Sequence, residues 1–210
     1  MDHFDLARTL KYLPGIILGL TIHEFSHAFV AKISGDTTSA DQGRVTLNPL
    51  KHIDPLGFIM LFALGFGWAK PVQFNESNLK NPKKDIIKIA LAGPLSNAIL
   101  AMILSLILVS FTNSIVRYSI VWEIFLYSIF INWGLFIFNL IPLPPLDGSH
   151  VLFSPLKKYE KLYDLLYKNG TWLLFGLILA SIVTKRDFLP IGRAIDFFGR
   201  GFLGIFGYQV

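Results

Sequence analysis

Residues 10–33 read LKYLPGIILGLTIHEFSHAFVAKI, an apolar run of 24 residues that carries His23, Glu24 and His27 inside it. A helix that crosses a bilayer needs about 20 mostly apolar residues, so this stretch predicts a membrane span. An ionised side chain near the middle of such a span costs about 2.5–3.5 kcal/mol even on the lenient insertion scale. Polar groups persist there when they have a task or a partner. His23 and His27 are four residues apart, which puts both imidazoles on one helix face within reach of one ion. Glu24 lies about 100° round the helix from His23. That is too far to share the ion, but it suits a base for a water bound to it. Two neutral nitrogen ligands beside a carboxylate base are the parts of a metallohydrolase.

Working outward, the same reading extends over the chain. Of its 210 residues 53% are hydrophobic and only 16% charged, against about 25% charged in soluble domains. Further apolar stretches at 86–111 and 119–141 predict spans. Residues 171–184 are apolar but short, as a tilted or shallow span would be. Residues 53–69 are interrupted by Pro55, Gly57, Gly65 and Gly67 and read as a re-entrant or interfacial segment. The expected fold is an all-α integral membrane protein, a helical bundle of about four to six transmembrane segments with a re-entrant or extended segment near the metal site. One membrane-embedded domain is expected over 1–210, with a core at 10–155 and a C-terminal helix and interfacial tail at 156–210. The net charge of +5 is assigned to loops flanking the spans, so no nucleic-acid partner is implied; the lipid bilayer is. The N-terminal run contains ionisable residues and no cleavage site, which argues against a signal peptide. With no cysteine in the chain, thiolate ligands and disulfides are excluded, and a metal site must use His, Asp, Glu or Asn.

A catalytic zinc takes three protein ligands and keeps one position open. Asp147 is a candidate third ligand. It ends the stretch Asn139-Leu-Ile-Pro-Leu-Pro-Pro-Leu-Asp147-Gly148, whose prolines cannot continue a helix and whose irregular backbone at membrane depth must be buried in protein or line a wet cavity. The competing reading makes Asp147 a helix N-cap. His52 and His150 are rival ligands, each with the alternative of a solvated interfacial imidazole. Ala90, Gly93, Asn97 and Ala101 form a stripe of small residues that permits close helix approach. Asn97 is read either as packing or as a hydrogen-bond donor to substrate backbone or a developing oxyanion.

The motif His23-Glu-Phe-Ser-His27, with Asn139, Pro142 and Leu146-Asp147-Gly148 downstream, resembles the site-2 protease family of intramembrane zinc metalloproteases. Leu91-Ala-Gly-Pro-Leu-Ser-Asn97 and the segment from Thr46 to Gly57 are similar to that family's short bacterial and archaeal members. The resemblance covers about residues 15–155. It implies a Zn2+ cofactor held by His23, His27 and Asp147, with Glu24 as catalytic base and Asn139 and Pro142 holding substrate in extended form. The implied partner is a transmembrane protein substrate, cut by hydrolysis in or near its membrane segment. The PDZ or CBS domains common in the family find no room in this chain. The alternatives are a divalent-metal transporter and a non-catalytic zinc-binding scaffold. A transporter would need several weak sites and often inverted repeats, and a scaffold would not need Glu24.

The ligands also constrain topology. For the ends of spans 10–33 and 119–141 to meet at one ion, those helices must run in the same direction and 86–111 must oppose them. This holds only if 53–69 does not cross. Loops 32–88 and 143–170 then share a face and hold twelve of the nineteen Lys and Arg residues, which places that face, and the opening of the site, in the cytoplasm. The 44–73 region offers a strand edge for an unwound substrate.

Overall fold

The computed structural model describes residues 6–64, 67–111, 119–153, 160–186 and 188–208. The expected boundary near residue 155 lies outside these residues. The chain forms α1 (Leu6–Ile33), α2 (Thr38–Asp41), α3 (Pro55–Leu64), α4 (Pro82–Ser110), α5 (Ile120–Asn139), α6 (Asp147–Phe153), α7 (Glu160–Thr184) and α8 (Ile191–Ile205), with short 3-10 turns at Pro49–Lys51 and Glu76–Asn78. Among the described residues there is no β-strand, only an isolated antiparallel bridge between Ile53 and Ala69.

Among the described residues three helices are long and apolar enough to cross a bilayer: α1, α4 and α5. Four to six spans were expected. Of the remaining segments, α7 is 25 residues long but apolar only in its C-terminal half. The ten residues of α3 reach about 15 Å at 1.5 Å per residue, half of a hydrocarbon core of about 30 Å. Helix α4 starts four residues before the apolar run, because Asn81-Pro82 places Pro at the first helical position, where its missing N–H costs nothing.

The threading of the three long helices follows from their contacts. Lys11 pairs with Glu123, Tyr12 packs against Tyr127 with the rings tilted, and a Cβ on Gly15 or Gly19 would collide with Ser128 or Asn132. Positions rise together, so α1 and α5 are parallel. Asn97 bonds Gly19 O, whereas Ile89 O bonds His27; positions fall as they rise, so α4 is antiparallel to α1. The chain between α1 and α4 must therefore return to the side it left. The Ile53–Ala69 bridge and the Lys70 N–H to His52 carbonyl bond of 2.8 Å show how: the chain entering and the chain leaving the segment that carries α3 are tied together as the base of a hairpin. Gly15 and Gly19 let α1 and α5 approach backbone to side chain, a glycine pair at a spacing of four.

The loops are pinned as well. Asp36 is fully buried and accepts from Thr38 N and Oγ1, Asn75 N and Asn78 Nδ2 at 2.6–3.2 Å. Burial would raise its pKa, but these donors outweigh burial and hold it below the usual carboxylate range. The tail after Lys185, expected as an interfacial helix, is placed differently. Ile195 lies against Gly134, Gly199 against Phe130, and Tyr208 bonds Trp122. Helix α8 thus runs lengthwise and antiparallel along α5, because its apolar stripe of Ile195, Phe202 and Leu203 joins the core of α4 and α5.

Candidate metal centre

Helix α1 presents His23 and His27 one turn apart, both buried, with Nε2 atoms 3.0 Å from each other. The Nδ1 atom of each ring is anchored on α4. His27 Nδ1 lies 2.7 Å from Ile89 O, and His23 Nδ1 lies 2.6 Å from Asn97 Oδ1. A carbonyl oxygen only accepts, so His27 Nδ1 must carry the proton. Asn97 is oriented by its own amide, which donates to Gly19 O at 3.0 Å and Asn132 Oδ1 at 2.9 Å. Its Oδ1 therefore accepts from His23 Nδ1–H. Both rings thereby turn Nε2 inward, and in the neutral form of each ring that nitrogen carries the lone pair.

Asp147, the first residue of α6, completes the set. Its Oδ2 lies 3.1 Å from His23 Nε2 and 3.3 Å from His27 Nε2, and no hydrogen-bond donor reaches that buried oxygen. Two imidazole nitrogens and a carboxylate oxygen converging on one point are a donor set suited to a cation between them. A tetrahedral ion with bonds of about 2.0–2.1 Å separates its ligands by about 3.3 Å, so the spacings fit one. Among the described residues these three form the group able to hold a metal ion. Gly93 supplies the room: a Cβ there would collide with His27 Nε2 and sit 2.6 Å from His23 Nε2. In the α4 stripe this residue therefore makes space for imidazoles as well as for helix packing.

The proline segment delivers Asp147. After α5, Leu143 N bonds Ile141 O and Leu146 N bonds Leu143 O, which turns the chain back towards α1. The N-cap reading gives way to a position inside the helix: Asp147 is the first residue of α6, and the Ser149 N–H bonds Leu146 O. Gly148 serves close approach, since a Cβ there would strike Leu140 O and Ile141 O. Glu24 is nearly buried, and its Oε2 accepts from Val72 N at 3.0 Å and lies 3.6 Å from Arg44 Nη2.

The family model described as Peptidase family M50 matches residues 109–182, which include Asp147. Among the curated relatives, YwhC of Bacillus subtilis is 40% identical over 167 residues, covering 72% of this chain and 73% of that protein. Rip2 of Mycolicibacterium smegmatis is 31% identical over 199 residues, covering 89% of this chain and 76% of its own. MJ0611 of Methanocaldococcus jannaschii is 31% identical over 151 residues, covering 71% and 73%. Each of the three is named a putative zinc metalloprotease. The chain belongs to peptidase family M50. This is the site-2 protease family that the sequence motifs resemble, and with three apolar helices this M50 chain is an integral membrane protein. No solved structure matches it.

Other sequence expectations for this M50 chain are redistributed by the structure. Asn97 is not free for substrate or an oxyanion: both amide hydrogens and its oxygen are engaged, and it orients His23. Replacing Asn97 by Ala frees the His23 ring and removes an outer partner of the kind worth about 10–100-fold in metal affinity. Competition with a chelator of known affinity measures that loss, and an unchanged affinity would return Asn97 to packing alone. Asn139 bonds back to Leu135 O in its own helix, and Pro142 is exposed in the turn; neither touches the triad through a described hydrogen bond. His52 is neither a ligand nor solvated. It is 1% exposed, with Nε2 donating to Thr46 O at 2.8 Å. His150 lies beside Phe74, outside the metal group.

Five contributing residues escaped the sequence reading. Asn132 is fully buried in the middle of α5, and a polar residue in an apolar span was a signal of the same kind as His23. The spacing of Gly15 and Gly19 was equally readable. Val72 acts through its backbone N–H, which no side chain announces. Arg44 sits in a polar loop, where solvation was the ordinary explanation.

Proposed function

We propose that this M50 chain is a zinc-dependent intramembrane endopeptidase that hydrolyses peptide bonds in or near the transmembrane segments of membrane proteins. The observation that carries the reading is the convergence of His23 Nε2, His27 Nε2 and Asp147 Oδ2, set between spanning helices with a glutamate beside it. Zinc bound there supplies a Lewis acid and lowers the pKa of a coordinated water to about 7. The rings of His23 and His27 are held and aimed by Asn97 and the Ile89 carbonyl. The Glu24 carboxylate accepts the proton of the attacking water and passes it to the leaving amine nitrogen. A substrate helix has its carbonyls bonded internally, so it unwinds locally before it is cut.

The 44–73 strand edge expected to pair with that unwound chain is already engaged over 70–72. Arg44 takes the carbonyls of Lys70 and Pro71, and Glu24 takes the N–H of Val72. The twelve basic residues of loops 32–88 and 143–170 support a site that opens to the cytoplasm. The names of the relatives, zinc metalloproteases, support both the metal and the reaction. The direct test incubates the purified chain in detergent with a model transmembrane peptide. A chelator is expected to stop cleavage and added zinc to restore it. Cleavage that persists in metal-free protein would end the reading.

A further inference from the structure

We propose that Arg44 is the positioning residue of the Glu24 base, its buried guanidinium tying that carboxylate to the extended segment 70–72. The inference rests on the reading of Glu24 as base given above. Arg44 lies between exposed Gly43 and the half-buried Val45, yet it is only 3% exposed itself. A guanidinium withdrawn from water is retained where its partners compensate for lost hydration. Here Nη2 donates to Lys70 O, Nη1 donates to Pro71 O at 3.3 Å, and Nη2 lies 3.4 Å from His52 Nδ1 and 3.6 Å from Glu24 Oε2.

His52 is set up for this contact. Its Nε2–H is spent on Thr46 O, so its Nδ1 is the accepting nitrogen and faces the cation. The base of the hairpin is closed by the Lys70–His52 backbone bond and the Ile53–Ala69 bridge. One cation thus meets two separate stretches of chain and the carboxylate on α1. The planar fork of a guanidinium can do this, whereas a point-like ammonium cannot.

Both described contacts of Glu24, from Val72 N–H and from Arg44, fall on Oε2. That anchors one carboxylate oxygen and leaves Oε1 to take the proton. A role confined to stapling the hairpin would need the two carbonyl bonds and not the charge beside Glu24. The two roles therefore differ in what a change of charge does to turnover.

The test compares the full chain in detergent with Arg44→Met, Arg44→Lys, Arg44→Gln and Glu24→Gln, reading zinc content, kcat and KM on a model transmembrane peptide. Arg44→Met is expected to keep its zinc and to lose about 100-fold in kcat, within the range for one general base, with KM shifted by less than about threefold. Arg44→Lys is expected to regain part of that loss. Wild-type kcat in Arg44→Met, a loss confined to KM, or equal impairment of the Met and Lys variants would overturn the proposal. If Arg44→Met does not fold, the Lys and Gln variants decide: higher kcat with Lys sustains the proposal, and equal values overturn it. Full activity in Glu24→Gln would instead remove the underlying reading of the base, which keeps the two failures apart.

Discussion

Glu24→Gln leaves the zinc content of the protein unchanged and lowers kcat by about 10²–10⁴-fold, the range for removal of a general base. The substitution is nearly isosteric. Its amide oxygen can still accept from Val72 N–H, the bond that the carboxylate makes at 3.0 Å. Arg44 keeps the carbonyls of Lys70 and Pro71 as partners, so the hairpin stays closed. The metal group does not include Glu24, and the orienting bonds of His23 and His27 come from α4. What disappears is the proton acceptor. Metal analysis and single-turnover cleavage of a model transmembrane peptide measure the two quantities separately. A variant that holds zinc and cleaves at the wild-type rate would take Glu24 out of the reaction.

Asp147→Ala acts at an earlier stage, on the metal. It removes one of three donor atoms and leaves two imidazole nitrogens 3.0 Å apart with no anionic partner. Loss of an outer partner alone costs about 10–100-fold in metal affinity. Loss of a ligand is expected to exceed the upper end of that range, so that protein purified without added zinc carries none and cleaves nothing. The fold survives, because α6 is held by other contacts: Ser149 N and Oγ bond Leu146 O, and Gly148 lies against the end of α5. Zinc content and the thermal midpoint of the apo protein report on this together. Stoichiometric zinc in Asp147→Ala would show that another side chain completes the site.

These expectations depend on very different amounts of tertiary information. The placement of Glu24 next to His23, four residues before the span returns to small and apolar residues, is local helix geometry. Any helix over 10–33 yields it. The pairing of a distant Asp147 with that turn could be argued from sequence only through topology, because the prolines and the parity of spans allow one relative direction of the helices. The register itself comes from contacts: Gly15 on Ser128, Gly19 on Asn132 and Ile89 on His27.

The sequence by itself determined the class of the protein and the heart of its candidate site. Long apolar runs have no stable place outside lipid, ionisable groups inside them need a partner, and a spacing of four on a helix puts two imidazoles on one side. Only the tertiary structure decided what lies around those imidazoles. It turned Asn97 from a substrate contact into the clamp on His23, turned His52 from a rival ligand into a partner of Arg44, and laid α8 along α5. The physical reason is that a buried polar group is defined by which donor or acceptor it meets. Such meetings, between residues 74 apart for His23 and Asn97 and 48 apart for Glu24 and Val72, leave no periodic trace in the chain.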